Sequence, residues 1–233
     1  QPRTMGRYVT LPAAILLLLF AGSPAVHAIR SLQQSSSDEA GGMLFIIKST
    51  LDGECLLFSG RGNDVNPKKY NWNHGANFCG FGEKDGMSPK ERVVANKQAV
   101  WRLEQLEGDM YTIKSTLDEE CLIFGANGNS VYPSRHLWGH GGKYCGFPEQ
   151  NGMSSKESLL ANKQAVWQIE NLEDDKFVIK SALDGKCLVF GGDGNNKYPS
   201  RFEWGDGGEF CGKPSKEAIL AEKRAVFELE LMA

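Results

Sequence analysis

The sequence contains few of the residues on which metal and nucleic-acid sites depend. It has four histidines among 233 residues, and no two of its six cysteines have C-x-x-C spacing. It has 26 Lys and Arg residues against 29 Asp and Glu, for a net charge of −3, and no basic run. A mildly acidic chain without a basic stretch is a poor candidate for binding nucleic acid or anionic membranes. We therefore expect no nucleic-acid partner, no metal and no cofactor.

Long hydrophobic runs are also scarce, and the run that stands out lies near the N-terminus. Arg7 is followed by the apolar stretch Leu11–Phe20 and then by Ala25-Val26-His27-Ala28. A basic start, a short apolar core and small residues at −3 and −1 are typical of a signal peptide cleaved after Ala28. Residues 1–28 are thus predicted to be removed. The mature chain is expected to enter the secretory pathway and become extracellular, or alternatively to reach an organelle lumen, with no transmembrane segment.

The residues that follow the leader are polar. Ile29–Gly42 is rich in Ser, Gln and Gly and shows no hydrophobic period, so we interpret it as a disordered linker. Cleavage after Ala28 removes Arg3 and Arg7 and no acidic residue, which leaves 24 basic against 29 acidic residues and a net charge of −5. The 27 glycines of the whole chain favour many turns and short strands.

Residues 43–233 contain three copies of one unit, at about 43–108, 109–174 and 175–233. An Ile-Lys-Ser triplet recurs every 66 residues, beginning at Ile47, Ile113 and Ile179. Each unit carries the motif Ala-Val-aromatic at the start of its last strand. The third unit is six residues shorter than the other two. Many further columns match at the same spacing, including the cysteines and the sets Asn63/Asn129/Asn195, Pro67/Pro133/Pro199 and Trp72/Trp138/Trp204. Such an internal repeat predicts a fold with threefold pseudosymmetry.

Each unit has the pattern of four short strands, which predicts twelve in all. Tyr111–Ser115 and Val166–Glu170 alternate apolar and polar residues, as half-buried strands do. The long connection before the fourth strand is different. Ser88 with Glu91, and Ser154 with Glu157, have capping-box spacing, so a short helix is expected there in each unit. Ser215 predicts the same helix in the third unit in a shifted register.

The six cysteines form three pairs, each separated by 24 residues. Because the repeat relates the pairs to one another, we predict the disulfides Cys55–Cys79, Cys121–Cys145 and Cys187–Cys211. A zinc site is the alternative. It is disfavoured because the histidines do not recur in all three units: His74 and His140 share a column with Asp206.

The order of these motifs resembles the ricin-type β-trefoil repeat. The shared features are Tyr-x-Ile-Lys-Ser, a turn, Cys-Leu-x-Phe, a third strand ending in Trp, and a closing strand with Trp. The resemblance implies an all-β fold, a six-stranded barrel capped by three hairpins, with the first and last strands side by side. A three-sheet β-prism is the alternative architecture.

The sequence departs from the lectin pattern where sugar is bound. Ricin-type units that bind sugar carry Asp directly after Cys-Leu, and here that position is Leu57, Ile123 or Val189. The closing Gln-x-Trp is also interrupted by an extra residue. The resemblance therefore implies the fold but not the family's galactose site.

The long loop after the third strand is the candidate binding region. Its repeated columns combine an aromatic ring with polar groups, the arrangement that stacks on a sugar ring and pairs with its hydroxyls. The candidate residues are Trp72, Trp138, Trp204, His74, His140, Asp206, Lys69, Arg135, Arg201, Asn63, Asn129 and Asn195. The alternative is that the Trp column packs on the disulfides as core.

The repeats argue against an enzyme, because catalysis needs an asymmetric set of groups and the distinctive residues here come in threes. Asp52, Asp118 and Asp184 lie in tight turns, where Asp typically caps its own backbone. We expect a lectin-like, carbohydrate-binding module without catalytic residues. The alternative is a protein-interaction or structural subunit, such as an inhibitor, effector or assembly component, that binds an extracellular or lumenal protein.

Overall fold

The structure of the chain is a computed structural model. It describes residue 29 and residues 42–51, 53, 55–56, 79, 81–117, 119–123, 138–139, 143–190, 202–205 and 207–232. Within these residues lie ten β-strands: β1 (Met43–Ser49), β2 (Trp101–Glu107), β3 (Met110–Ser115), β4 (Cys121–Leu122), β5 (Trp138–Gly139), β6 (Trp167–Glu173), β7 (Lys176–Ser181), β8 (Cys187–Phe190), β9 (Phe202–Gly205) and β10 (Phe227–Leu231). Three helices accompany them: α1 (Pro89–Asn96), α2 (Ser155–Asn162) and α3 (Lys216–Glu222).

Six of these strands close into a barrel. β1 pairs with β2, β2 with β3, β3 with β6, β6 with β7, β7 with β10, and β10 with β1, all antiparallel. The ring leaves no free edge. Strand β1 lies beside the last strand β10, with Ile47 opposite Leu229, as expected from the sequence.

The remaining strands form hairpins that leave the barrel. β4 pairs with β3 and β5, and β8 pairs with β7 and β9. In the first repeat an isolated β-bridge between Lys48 and Cys55 lies at the position equivalent to the β3–β4 and β7–β8 pairings. A closed six-stranded barrel with a hairpin from successive repeats is a β-trefoil, so the predicted fold class is confirmed. The other strands predicted for the first repeat fall largely on residues outside those described.

The barrel is filled by the inward-facing residues of its strands. Leu103 lies opposite Ile113, and Ile169 opposite Ile179, and all four are buried in one cluster. Trp101 and Trp167 are fully buried in it, and their indole Nε1 atoms donate to the carbonyl oxygens of Leu56 and Leu122, at 2.8 and 2.9 Å. Ile29, far from the barrel strands in sequence, is buried in the same cluster.

Three smaller clusters lie outside the barrel, one per repeat. Each contains the disulfide, the Ala-Val pair before the closing strand and one apolar helix residue, which is Val93, Leu159 or Ile219. The expected helices are therefore confirmed and each has a packing role. Helices α1 and α2 begin with full capping boxes at Ser88 and Ser154. None of the described helices is long and apolar enough to cross a membrane.

Candidate functional site

The cysteines that flank each candidate loop in the sequence have surroundings that recur in every repeat. The first barrel strand of each unit carries an outward lysine next to the first half-cystine: Lys114 lies opposite Cys121, Lys180 opposite Cys187, and Lys48 bridges to Cys55. We call Lys48, Lys114 and Lys180 the lysine column. The alternation of the strand puts these lysines outside the barrel, on the side where the disulfides pack.

Every lysine of the column pairs with a glutamate on the neighbouring barrel strand. Lys114 Nζ lies 2.5 Å from Glu104 Oε2, and Lys180 Nζ lies 2.5 Å from Glu170 Oε2. Lys48 pairs with Glu230 in the same way. The side chains of Lys114 and Lys180 are only 3% and 6% exposed, whereas their glutamates are 30% and 37% exposed. The ammonium groups of Lys114 and Lys180 are thus largely removed from water and depend on the carboxylates for compensation.

In the third repeat the lysine also contacts the backbone before the second cysteine. Lys180 Nζ donates a second hydrogen bond to the carbonyl oxygen of Glu209, at 3.0 Å, two residues before Cys211. This contact joins the barrel to the segment that the disulfide Cys187–Cys211 closes. An ammonium group has three donors, so it can serve the glutamate and the loop backbone together.

The predicted disulfides Cys55–Cys79, Cys121–Cys145 and Cys187–Cys211 are all present. Their second half-cystines share a left-handed backbone, with φ of 56° at Cys79, 56° at Cys145 and 54° at Cys211. A non-glycine residue in this region is strained, and here the strain recurs at three equivalent positions. We call the disulfide with its lysine and glutamate the loop base of each repeat.

The side chains predicted to contact a ligand lie outside the described residues. This holds for Trp72, Lys69, Arg135, Arg201, His74, His140, Asp206, Asn63, Asn129 and Asn195. The backbones of Trp138 and Trp204 are described: they lie in β5 and β9, opposite Leu122 and Leu188. The structure therefore places the loop bases and leaves the assignment of these residues a prediction.

Other residues of the loop region have packing roles. Tyr144 and Phe210, which directly precede the second cysteines of their repeats, are half-buried against the second and third outer clusters. Lys143 Nζ lies 5.2 Å from the centroid of the Tyr144 ring, a cation–π distance. Ile123 and Val189, which stand where sugar-binding units have Asp, pack against the same two clusters.

The turn aspartate behaves as predicted where it is described. Asp184 Oδ1 accepts a hydrogen bond from the backbone N–H of Lys186, at 3.1 Å. Asp52 and Asp118 lie outside the described residues. Across the described part of the chain, no group of three or more His, Cys, Asp or Glu side chains is placed to hold a metal ion.

One cavity of about 440 Å³ lies between the β6–β7 turn and β10, and Glu230 of the first loop base is part of its lining. It is lined by Asp174, Asp175, Lys176, Glu228, Leu229, Glu230 and Leu231. Burial raises the pKa of Asp175, and the neighbouring Asp174 charge raises it further. The equivalent place in the second repeat is less acidic, because Gly108 and Gln168 stand there where Asp174 and Glu228 stand here.

The lysine column and its glutamates were missed as a unit in the sequence. Two repeated positions in the sequence indicate these pairs. The Lys of Ile-Lys-Ser recurs every 66 residues, and a glutamate recurs in the closing strands as Glu104, Glu170 and Glu230. A charged residue repeated on a strand next to a cysteine, with an opposite charge repeated on the paired strand, is the pattern that predicts such pairs.

Comparison with known protein families and with curated protein sequences finds no match. Among solved structures the chain is similar to the designed threefold-symmetric protein ThreeFoil, at 11% identity over 80% of this chain and 97% of that one, with a TM-score of 0.43. It is also similar to the BEL β-trefoil, at 12% identity over 84% and 97%, with a TM-score of 0.42. A lectin of Polyporus squamosus, solved with the epitope Neu5Acα2-6Galβ1-4GlcNAc, matches at 13% identity over 82% of this chain and 49% of its own, with a TM-score of 0.43. The fold of this chain follows from its own strand pairing.

Proposed function

We propose that this chain is a secreted, non-enzymatic module that binds glycans through the enlarged loops of its three repeats. The observation that carries the proposal is the tripled loop base. A disulfide and a Lys–Glu pair recur in all three repeats, and each disulfide joins the two cysteines that flank an enlarged loop in the sequence. Binding residues on loops held by a rigid scaffold are the usual arrangement in recognition modules.

The loop sequences supply the chemistry. Each carries a Trp with cationic, amide and His or Asp neighbours, which offer a stacking face and hydrogen-bond partners for hydroxyls. Three weak sites on one molecule would gain affinity for a multivalent glycan surface through effective concentration, without further contacts.

The test is a glycan array followed by titration of any hit monitored by NMR. We expect glycan binding, and we expect Trp138→Ala to abolish it in the second loop. Trp138→Phe should retain part of it, because phenylalanine keeps an aromatic face. Glu173→Gln, in an exposed ion pair at the end of β6, is the folding control and should leave binding unchanged. An array with no signal above background at millimolar sensitivity would overturn the proposal.

A protein-interaction or structural role is the second candidate, and the third repeat favours it. Phe227 replaces the hydrogen-bonding Trp101 and Trp167, and Glu228 makes the nearby cavity acidic. A molecule in which one repeat differs from the other two is better suited to binding a single protein partner than to binding a sugar at three equivalent sites. Co-purification of a stable, stoichiometric partner from the native source, together with a silent array, would select this function.

A further inference from the structure

Ile29 is buried in the core although it lies fourteen positions before β1 begins. Its side chain is 5% exposed and belongs to the cluster that fills the barrel, together with Phe45 and Phe227. The polar composition of the segment that Ile29 begins does not predict that this residue is buried. This contact therefore gives the beginning of the segment a defined place in the fold.

The same residue follows the predicted cleavage position. Val26 and Ala28 provide the small residues that a leader peptidase requires at −3 and −1, so cleavage leaves Ile29 first. The burial of Ile29 is independent of that motif. We propose that Ile29 is the N-terminal residue of the mature chain and that its side chain anchors the new terminus in the barrel core.

The step is hydrolysis of the Ala28–Ile29 peptide bond by a peptidase of the secretory pathway. Water adds across the amide, the carboxylate departs with the leader, and the ammonium group forms on Ile29. A peptidase needs the scissile bond in an accessible, extended segment, so cleavage precedes docking of the side chain. The order of events is cleavage, folding of the barrel, and then insertion of Ile29.

The far end of the segment is also held. A Cβ on Gly42 would lie 2.6 Å from the carbonyl oxygen of Leu103, so the chain enters β1 packed tightly against β2. Twelve residues, 30–41, separate the two fixed points. An extended chain of that length reaches about 40 Å, more than enough to return to the barrel. The two described residues at its ends, Ile29 and Gly42, both lie against the barrel.

The first experiment determines the terminus. The chain is secreted with its own leader from a eukaryotic host, and the product is analysed by intact mass and N-terminal sequencing. We expect a single terminus at Ile29. A terminus at any later residue removes the anchor and overturns the proposal, and so does retention of the leader.

The second experiment tests the anchor on disulfide-bonded chains that begin at Ile29 or at Arg30 and are otherwise identical. We expect the chain without Ile29 to melt about 3–8 °C lower. A broad-specificity aminopeptidase should trim it roughly tenfold faster or more, because an isoleucine must leave the core before the intact terminus can be cleaved. Within the longer chain, Ile29→Asp should reproduce the loss and Ile29→Val should retain most of the protection.

Equal melting temperatures and equal trimming rates for the two chains would overturn the anchor. No ligand enters either measurement, so the outcome is independent of whether the loops bind glycans.

Discussion

The side-chain amide of Gln168 donates a hydrogen bond from Nε2 to Oδ2 of Asp109, at 3.3 Å. Each partner has a counterpart one repeat later: Asp175 for Asp109 and Glu228 for Gln168. Both counterparts line the acidic cavity. The third repeat thus has two carboxyl groups where the second has a donor and an acceptor, and the pKa of Asp175 is raised by burial and by Asp174.

Glu228→Gln should restore an amide donor beside Asp175. We expect the pKa of Asp175 to fall toward its ordinary value and the free energy of unfolding at pH 7 to rise by about 0.5–1 kcal/mol. A carboxyl group with a raised folded-state pKa takes up its proton more readily in the folded chain. The wild type should therefore gain stability relative to the variant as the pH falls through that raised pKa toward the unfolded value.

The measurement is urea denaturation between pH 3 and 8, with an NMR titration of the Asp175 carboxyl. Gln168→Glu is the matched control: it creates a second carboxyl pair beside Asp109 and should lower stability at neutral pH. Identical pH profiles for the wild type and Glu228→Gln would show that the two groups do not interact.

The sequence predicts the trefoil because its threefold repeat and strand periods agree with each other. The spacing of the cysteines predicts the disulfides, and the capping boxes at Ser88 and Ser154 predict the helices. The burial of Lys114 could not be predicted, since it depends on which strands lie beside β3. Ile29 was missed for the same reason: its contacts join residues far apart in sequence, and its polar neighbours give no period.

The Lys114–Glu104 pair should respond very differently to the loss of either partner. Glu104→Gln leaves a buried ammonium group without its counter-charge and should cost about 3 kcal/mol of stability. Lys114→Met keeps the apolar stem and leaves a partly exposed carboxylate, so its cost should be smaller.

Chemical denaturation of both single variants and the double variant measures this asymmetry. The pair Lys176–Glu173 is the control because both side chains are more than a third exposed. Glu173→Gln should have little effect. Equal losses for Glu104→Gln and Glu173→Gln would refute the claim that the lysine column depends on its glutamates.

Thr112 has a fully buried hydroxyl that makes no hydrogen bond among the described residues. Its counterparts in the first and third repeats are Ile46 and Val178. Thr112→Val keeps the shape and removes an uncompensated polar atom, so the free energy of unfolding should rise by about 1 kcal/mol. Thr116→Val is the matched control, since Thr116 Oγ1 donates to the carbonyl oxygen of Val100 at 2.9 Å, and this variant should lose stability. Thermal unfolding of both variants decides the point, and a Thr112→Val protein that melts below the wild type would contradict it.

Cys145 forms a disulfide and has an unfavourable backbone conformation. The contributions of these two features to the free energy of unfolding can be measured separately. Removing the disulfide by Cys121→Ala with Cys145→Ala should cost about 3 kcal/mol for a loop of this size. Cys145 has φ of 56°, which glycine adopts without strain, so Cys121→Ala with Cys145→Gly should recover up to about 1 kcal/mol. Cys121 lies in strand β4, where glycine is unfavourable, so Cys121→Gly with Cys145→Ala should be the least stable of the three. Urea denaturation of the three double variants gives the order directly. If the two glycine variants were equally stable, the left-handed backbone at Cys145 would carry no strain.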